Sequence, residues 1–141
     1  MEELLVYVLL LAEEIVTDIS YKNRLDELFL ENPESEILLH LEWESDLKKA
    51  IVYIRTHINY SIFNYELFGK ILMDKLSDYY YNCSDINKFG NEMYLLWTSL
   101  PTHIQGEQPF HILSYADDPL GYGDENQTRK LYEDMFAYYR N

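Results

Sequence analysis

The chain is organised around one segment, Tyr115-Ala116-Asp117-Asp118-Pro119-Leu120-Gly121-Tyr122-Gly123-Asp124-Glu125, which lies between two apolar helical patterns. Pro119 has no backbone N–H and a restricted φ, while Gly121 and Gly123 tolerate positive φ, so a helix cannot continue through the segment. We therefore predict a shaped, acidic loop that carries two tyrosines and leads into the last helix. The alternative interpretation is an ordinary connector with solvated charges.

On both sides of this loop, apolar residues recur at helical spacing, and no stretch alternates with the period of two that is typical of strands. The first pattern, over residues 4–19, is wide enough to predict a helix that is buried on more than one side. The last begins at Asp124, which has capping-box spacing to Gln127. These patterns predict an all-α protein that forms one compact domain of about six or seven helices, although residues 51–63 leave a short strand open.

Individual residues predict where these helices begin and approach each other. We expect N-caps at Asn32, Ser45, Asn64 and Ser84, because their side chains can accept hydrogen bonds from backbone N–H groups of the first helical turn. Gly90 lies within the predicted sixth helix, where glycine costs about 1 kcal/mol relative to alanine. Its presence there indicates a close crossing with another helix.

The charge of the chain limits its partners. It carries 25 acidic and 11 basic residues, a formal net charge of −14. The excess is concentrated at the two ends, with 13 acidic against 4 basic residues in 1–50 and 7 against 3 in 101–141. Such a chain is poorly suited to bind nucleic acid or anionic lipid through phosphate contacts. We predict a basic protein as its partner, with no nucleic acid and no membrane, and a homodimer is left open.

Cysteine content and hydropathy favour a cytoplasmic location. The single cysteine, Cys83, allows no internal disulfide and no cysteine-based zinc site. The apolar run over residues 4–12 is too short to span a bilayer. It also follows Glu2 and Glu3, where a signal peptide would carry positive charge.

Nothing in the sequence has the spacing of a catalytic or metal site. The acids of residues 117–125 are hard oxygen ligands, but their spacing misses the calcium-binding EF-hand pattern. The four histidines match no metalloprotease motif, and phosphate-binding, dinucleotide-binding and nucleophile-elbow motifs are missing. We predict no catalytic residue, no cofactor, no metal and no enzyme activity. A deep pocket with two converging carboxylates of perturbed pKa would favour an enzyme or small-molecule binder instead.

Aromatic side chains flanked by acids indicate protein recognition. Tyr and Trp bury a large area with few rotors, and neighbouring carboxylates steer a basic partner towards them. A third such place is Tyr79–Tyr81 with its flanking acids, and the alternative for all tyrosines is packing in the core. The predicted partner-binding residues are Tyr115, Asp117, Asp118, Tyr122, Asp124 and Glu125, together with Glu42, Trp43 and Glu44.

The chain resembles the immunity proteins of bacterial toxin systems, including polymorphic-toxin and contact-dependent inhibition systems. The resemblance is carried by Trp97-Thr98-Ser99-Leu100-Pro101, by residues 115–120, and by Gly123-Asp124-Glu125-Asn126-Gln127-Thr128-Arg129. It implies a helical protein that neutralises a cognate toxin, often a cationic nuclease, by masking its active site. The alternatives are an acidic interaction protein or assembly subunit without enzyme activity and, less favoured, a small-molecule binder or enzyme.

Overall fold

The computed structural model describes residues 1–140, and all of their regular secondary structure is helical. The predicted all-α fold class is therefore confirmed, and residues 51–63 contain no strand. The described residues form seven α-helices and four short 3-10 helices, so the expected six or seven helices is slightly low. Contacts divide the chain into two compact units, Met1–Phe63 and the residues from Asn64 onward, while a single domain stays a prediction.

The first unit contains four α-helices. They are α1 (Glu2–Ala12), α2 (Asp18–Glu31), α3 (Glu36–Trp43) and α4 (Leu47–His57). Within this unit, α1 packs against α4 and α2 packs against α3. Every residue of α1 from Leu4 to Leu10 is buried, as its wide apolar face predicts. The predicted extension of this helix to residue 19 is wrong, because α1 ends at Ala12 and Ile19 is an exposed residue of α2.

Two predicted helix starts in the first unit are wrong by a few residues. The Ser35 side chain caps α3 by accepting a hydrogen bond from the Leu38 backbone N–H. Asn32 instead ends α2, where its backbone N–H donates to the Leu28 and Phe29 carbonyls. Similarly, Asp46 rather than Ser45 caps α4.

The second unit contains three α-helices and all four 3-10 helices. The α-helices are α5 (Tyr65–Tyr81), α6 (Ile86–Thr98) and α7 (Glu125–Ala137), and the 3-10 helices are Thr102–Ile104, Phe110–Ser114, Asp118–Tyr122 and Tyr138–Arg140. Packed against α7 are α5 and the 3-10 helices at 110–114 and 118–122. None of the helices within residues 1–140 is both long enough and apolar enough to cross a bilayer.

Capping in the second unit follows the sequence more closely. Asn64 caps α5, and Asp124 caps α7 by accepting a hydrogen bond from the Gln127 backbone N–H, both as predicted. The exception is α6, which is capped by Asp85 rather than by Ser84. An Asp carboxylate at this position also interacts favourably with the positive end of the helix dipole.

Gly90 brings α6 against the loop that contains Asp117. A Cβ atom built at Gly90 would lie 2.9 Å from the Asp117 Cβ, 3.6 Å from the Leu120 Cδ1 and 3.6 Å from the Tyr132 hydroxyl. The close approach at Gly90 is therefore to the loop and not, as predicted, a crossing with another helix, since the α7 side chain of Tyr132 lies farther away. The backbone of α6 therefore forms part of the seat of the loop.

We expect Gly90→Ala to destabilise the protein. Overpacking costs about 1–3 kcal/mol, and Asp117 cannot rotate its Cβ away, so the clash outweighs the helix-propensity gain of about 1 kcal/mol. The measurement is the free energy of unfolding in urea. Gly106→Ala is the control, because nothing lies within 4 Å of a Cβ built there. A Gly90→Ala variant as stable as the Gly106→Ala variant would contradict the close packing.

Candidate functional site

The loop from Tyr115 to Glu125 is built from regular turns. Ala116 and Pro119 are buried, and the 3-10 helix at 118–122 ends at Gly123, whose φ of 81° is left-handed. The Asp124 backbone N–H donates to the Pro119 carbonyl at 2.9 Å. Gly123, but not Gly121, adopts the positive φ that the sequence allows at both. The exposed side chains of this loop therefore project from an ordered backbone.

The four acids of the loop have different environments. Asp117 is half-buried against Gly90, and this burial raises the pKa of its carboxyl, with the charge of Asp118 acting in the same direction. The Asp124 carboxylate accepts the capping hydrogen bond at 3.0 Å, and Glu125 pairs with Arg129 at 3.0 Å. Asp118 is exposed and forms no ion pair with the described residues. It is therefore the acid of the loop that is most available to a partner.

The two tyrosines of the loop are both accessible. Tyr122 is 73% exposed and Tyr115 is 37% exposed. The ring of Tyr115 lies 5.7 Å from the ring of His111, between centroids, which gives it a neighbour on one side. Tyr122 is thus a large, amphipathic side chain that the fold leaves in solvent, where it is available as an anchor for a partner.

Glu125 belongs to a hydrogen-bonded network that the sequence did not predict. The Arg129 guanidinium pairs with Glu125 and donates to the Tyr80 hydroxyl at 3.3 Å. The Tyr80 hydroxyl in turn donates to a Glu133 carboxylate oxygen at 3.0 Å. The i,i+4 spacing of Glu125 and Arg129 is the one local signal for this network. Nothing local to Tyr80 points to it.

The tyrosine triplet predicted as a third recognition place is mostly internal. Tyr80 is buried, and the Tyr79 hydroxyl donates to the Glu92 carboxylate at 2.8 Å. Tyr81 differs, since it is 68% exposed. The triplet therefore has one exposed side chain, one that is half-buried and one in the core of the second unit.

The predicted Glu42-Trp43-Glu44 site lies at the end of α3 in the first unit. Trp43 is 83% exposed, a high value for the side chain with the largest apolar area. The Glu44 carboxylate accepts a hydrogen bond from the Asp46 backbone N–H at 3.2 Å, so it also organises the turn into α4. Trp43 therefore fits the predicted role of an anchor.

Glu42 does not fit the role of a solvated steering charge. Burial raises the pKa of its carboxyl, and the neighbouring carboxyl of Asp26 adds to the rise, while Lys22 opposes it. One carboxyl oxygen of Glu42 and the hydroxyl of Tyr21 are buried without a hydrogen-bond partner in the described chain. Burial, followed by the charge of Glu42, raises the pKa of Tyr21 to about 12.

The loop at 115–125 and the end of α3 are therefore described from this chain alone. In comparisons with family models, curated proteins and solved structures, nothing matches this chain. Within residues 1–140, no group of three or more His, Cys, Asp or Glu side chains is positioned to hold a metal ion. The arrangement can offer exposed rings and carboxylates to a cationic surface.

We expect Glu42→Gln to stabilise the protein at neutral pH. A carboxyl whose pKa is raised in the folded state contributes stability at acidic pH that is lost as the pH rises through this pKa. Wild type should therefore lose stability relative to the variant between pH 4 and pH 7. The measurement is urea unfolding across this range. Asp26→Asn removes the negative charge that repels the Glu42 carboxylate, so it should also raise the free energy of unfolding at neutral pH.

Glu34→Gln is the control, because Glu34 is exposed in the connection between α2 and α3. Glu34→Gln removes one negative charge from the same unit, but that charge is exposed to solvent. Equal gains from Glu34→Gln and Glu42→Gln would assign the effect to net charge rather than to the contact with Asp26.

Proposed function

We propose that this protein is an immunity-type inhibitor that binds a basic toxin and masks its active site. The contact is made by the loop surface, which we define as Tyr115, Asp118, Tyr122 and Glu125. The observation that carries the proposal is the exposure of Tyr122, at 73%, on an ordered loop that also bears acids. The net charge of −14 makes a basic partner the complementary one.

The physical argument combines anchoring with steering. A tyrosine at the centre of an interface can supply about 2 kcal/mol or more of binding free energy, because it is large and loses few rotamers. Exposed carboxylates around it accelerate association with a basic surface. Since the backbone of the loop is already ordered by turns, little conformational entropy is lost on binding.

Two of the predicted binding acids have a supporting role in this proposal. Asp117 seats the loop on Gly90, and Asp124 caps α7. Both contribute to the shape of the loop surface. Changing either of them would alter the fold as well as the charge, so neither is suitable for testing the contact.

A second candidate function is that of an assembly subunit, and the first unit supplies the observation that favours it. Large apolar side chains of this unit are exposed, and a second copy of the chain could bury them. The most exposed are Ile19, Leu30, Trp43, Val52 and Ile62. Light scattering tests this function: a dimer mass at micromolar concentration that Trp43→Ser reduces to the monomer would support it.

For the inhibitor, we expect Asp118→Lys with Glu125→Lys to weaken partner binding at least about tenfold, because both carboxylates would face a basic surface. Since Glu125→Lys also breaks the pair with Arg129, Asp118→Lys is measured alone as well and should weaken binding in the same direction. The partner is the basic protein retained by the immobilised chain from the native cell lysate at moderate salt. Tyr122→Ala should weaken binding by a similar factor, since it removes the anchor. Affinity is measured by calorimetry, and protection by survival of cells that express the partner.

Asp134→Lys is the matched control for Glu125→Lys. Asp134 pairs with Lys130 at the same i,i+4 spacing on the same helix as the Glu125–Arg129 pair. If both reversals weaken binding equally, the interaction follows overall charge and the loop surface is wrong. If the retained partner is not toxic to cells without this protein, the inhibitor function is wrong.

A further inference from the structure

The second unit contains a cavity of about 630 Å³ that is walled by aromatic rings and carboxylates. This volume lies within the range of about 300–1,000 Å³ that is typical of small-molecule sites. The cavity is formed by the start of α5, the connection between α6 and α7, and the C-terminal 3-10 helix. Its lining includes Tyr65, Glu66, Glu107, Phe110, Tyr138 and Tyr139.

The aromatic walls of the cavity are positioned by contacts with one another and with the core. Tyr138 and Tyr139 meet edge to face, with centroids 5.0 Å apart and planes at 90°. On the α5 side, Tyr65 meets His103 edge to face at 5.0 Å, and its hydroxyl is hydrogen-bonded to the imidazole Nε2. Phe110 packs near Phe68, a fully buried core residue. The rings therefore form an ordered frame of differently oriented faces.

The electrostatic character of the cavity is negative. Glu66 and Glu107 contribute carboxylates, and no Lys or Arg of the described chain is part of its lining. Lys70 pairs with Glu66 at 3.2 Å and offsets that charge in part. Glu107 forms no ion pair with the described residues and is exposed. Glu107 is therefore the carboxylate that is available to an incoming cation.

The position of Tyr139 depends on a glycine of α5. The Tyr139 hydroxyl occupies the space that a Cβ of residue 69 would fill, so an alanine there would displace the ring. Burial raises the pKa of Tyr139 to about 12, and the Tyr138 and Glu66 charges add to the rise. The Tyr139 phenol therefore stays neutral at physiological pH. Gly69 leaves the space in which its hydroxyl lies.

We propose that this cavity binds an organic cation, an alkylammonium or guanidinium group held against the aromatic faces and paired with Glu107. Aromatic faces attract such cations within about 6 Å through the ring quadrupole, and the attraction grows when water is excluded. An anion would be repelled by both carboxylates. A small hard metal ion would find too few ligands, since no group of three or more His, Cys, Asp or Glu side chains within residues 1–140 could hold one.

The first experiment titrates choline into the full chain and follows the tyrosine fluorescence and the NMR signals of the protein. The neutral isostere 3,3-dimethylbutan-1-ol is the control ligand, because it has the same shape without the charge. We expect choline to bind at least about tenfold more tightly than the isostere. Equal binding of the two would overturn the proposal, and so would the absence of binding by every cation tested below.

Two variants test the assigned residues. Glu107→Gln and Tyr138→Leu should each weaken cation binding about fivefold or more, because they remove the paired charge and one aromatic face. Both side chains are exposed, so the variants should retain the wild-type melting temperature. Asp134→Asn is the control with the same change in net charge. An equal effect of Asp134→Asn and Glu107→Gln would overturn the site.

Two sources could supply this cation, and the ligands distinguish them. Choline represents a free metabolite, while acetyl-Gly-Lys-Gly-amide and its arginine counterpart represent a side chain of a protein. Tighter binding of choline supports the metabolite, and tighter binding of either peptide supports the side chain. The site does not require the loop surface, because Asp118→Lys with Glu125→Lys should leave cation binding within about twofold of wild type. The cation site and the inhibitor function can therefore fail independently, and these measurements distinguish the two failures.

Discussion

The close packing at Gly90 is the constraint on which the second unit depends. With no side chain at this position, α6 admits the Cβ of Asp117, and the adjoining turns bury Ala116 and Pro119. The chain then passes through the left-handed Gly123 into α7, whose start is fixed by a cap. The cost of a glycine within a helix is thus offset by the contacts that Gly90 allows between α6 and the loop. The loop surface exists because its backbone is held in this way.

Two acids of this protein, Asp117 and Glu42, are in environments that oppose their ionisation. Burial raises the pKa of the carboxyls of Asp117 and Glu42, and in both cases a second carboxyl adds to the effect. Together with a net charge of −14, this leaves unfavourable electrostatic energy in the free protein at neutral pH. A basic partner would relieve part of it. The acids that cost stability are therefore compatible with a protein that functions when bound to a cationic surface.

The 14 tyrosines have three kinds of environment in the fold, and the sequence suggests two of them, the core and the exposed surface. Some fill the core, as Tyr132 does. Some join networks of polar side chains, as Tyr80 does between Arg129 and Glu133. Others face solvent or a cavity, as Tyr122 and Tyr138 do. The same side chain serves all three because it combines a large ring with a single polar atom.

The residue pattern alone predicts the helical class, the wide apolar face of α1, the caps at Asn64 and Asp124, and the break at residues 115–125. These features depend on contacts within about four residues, which spacing and turn chemistry record directly. Tertiary packing sets the half-burial of Asp117, the contact between Glu42 and Asp26, and the cavity that brings Glu66, Glu107 and Tyr138 together. Those features depend on residues far apart in the chain, because burial and electrostatic environment are set by whatever packs alongside.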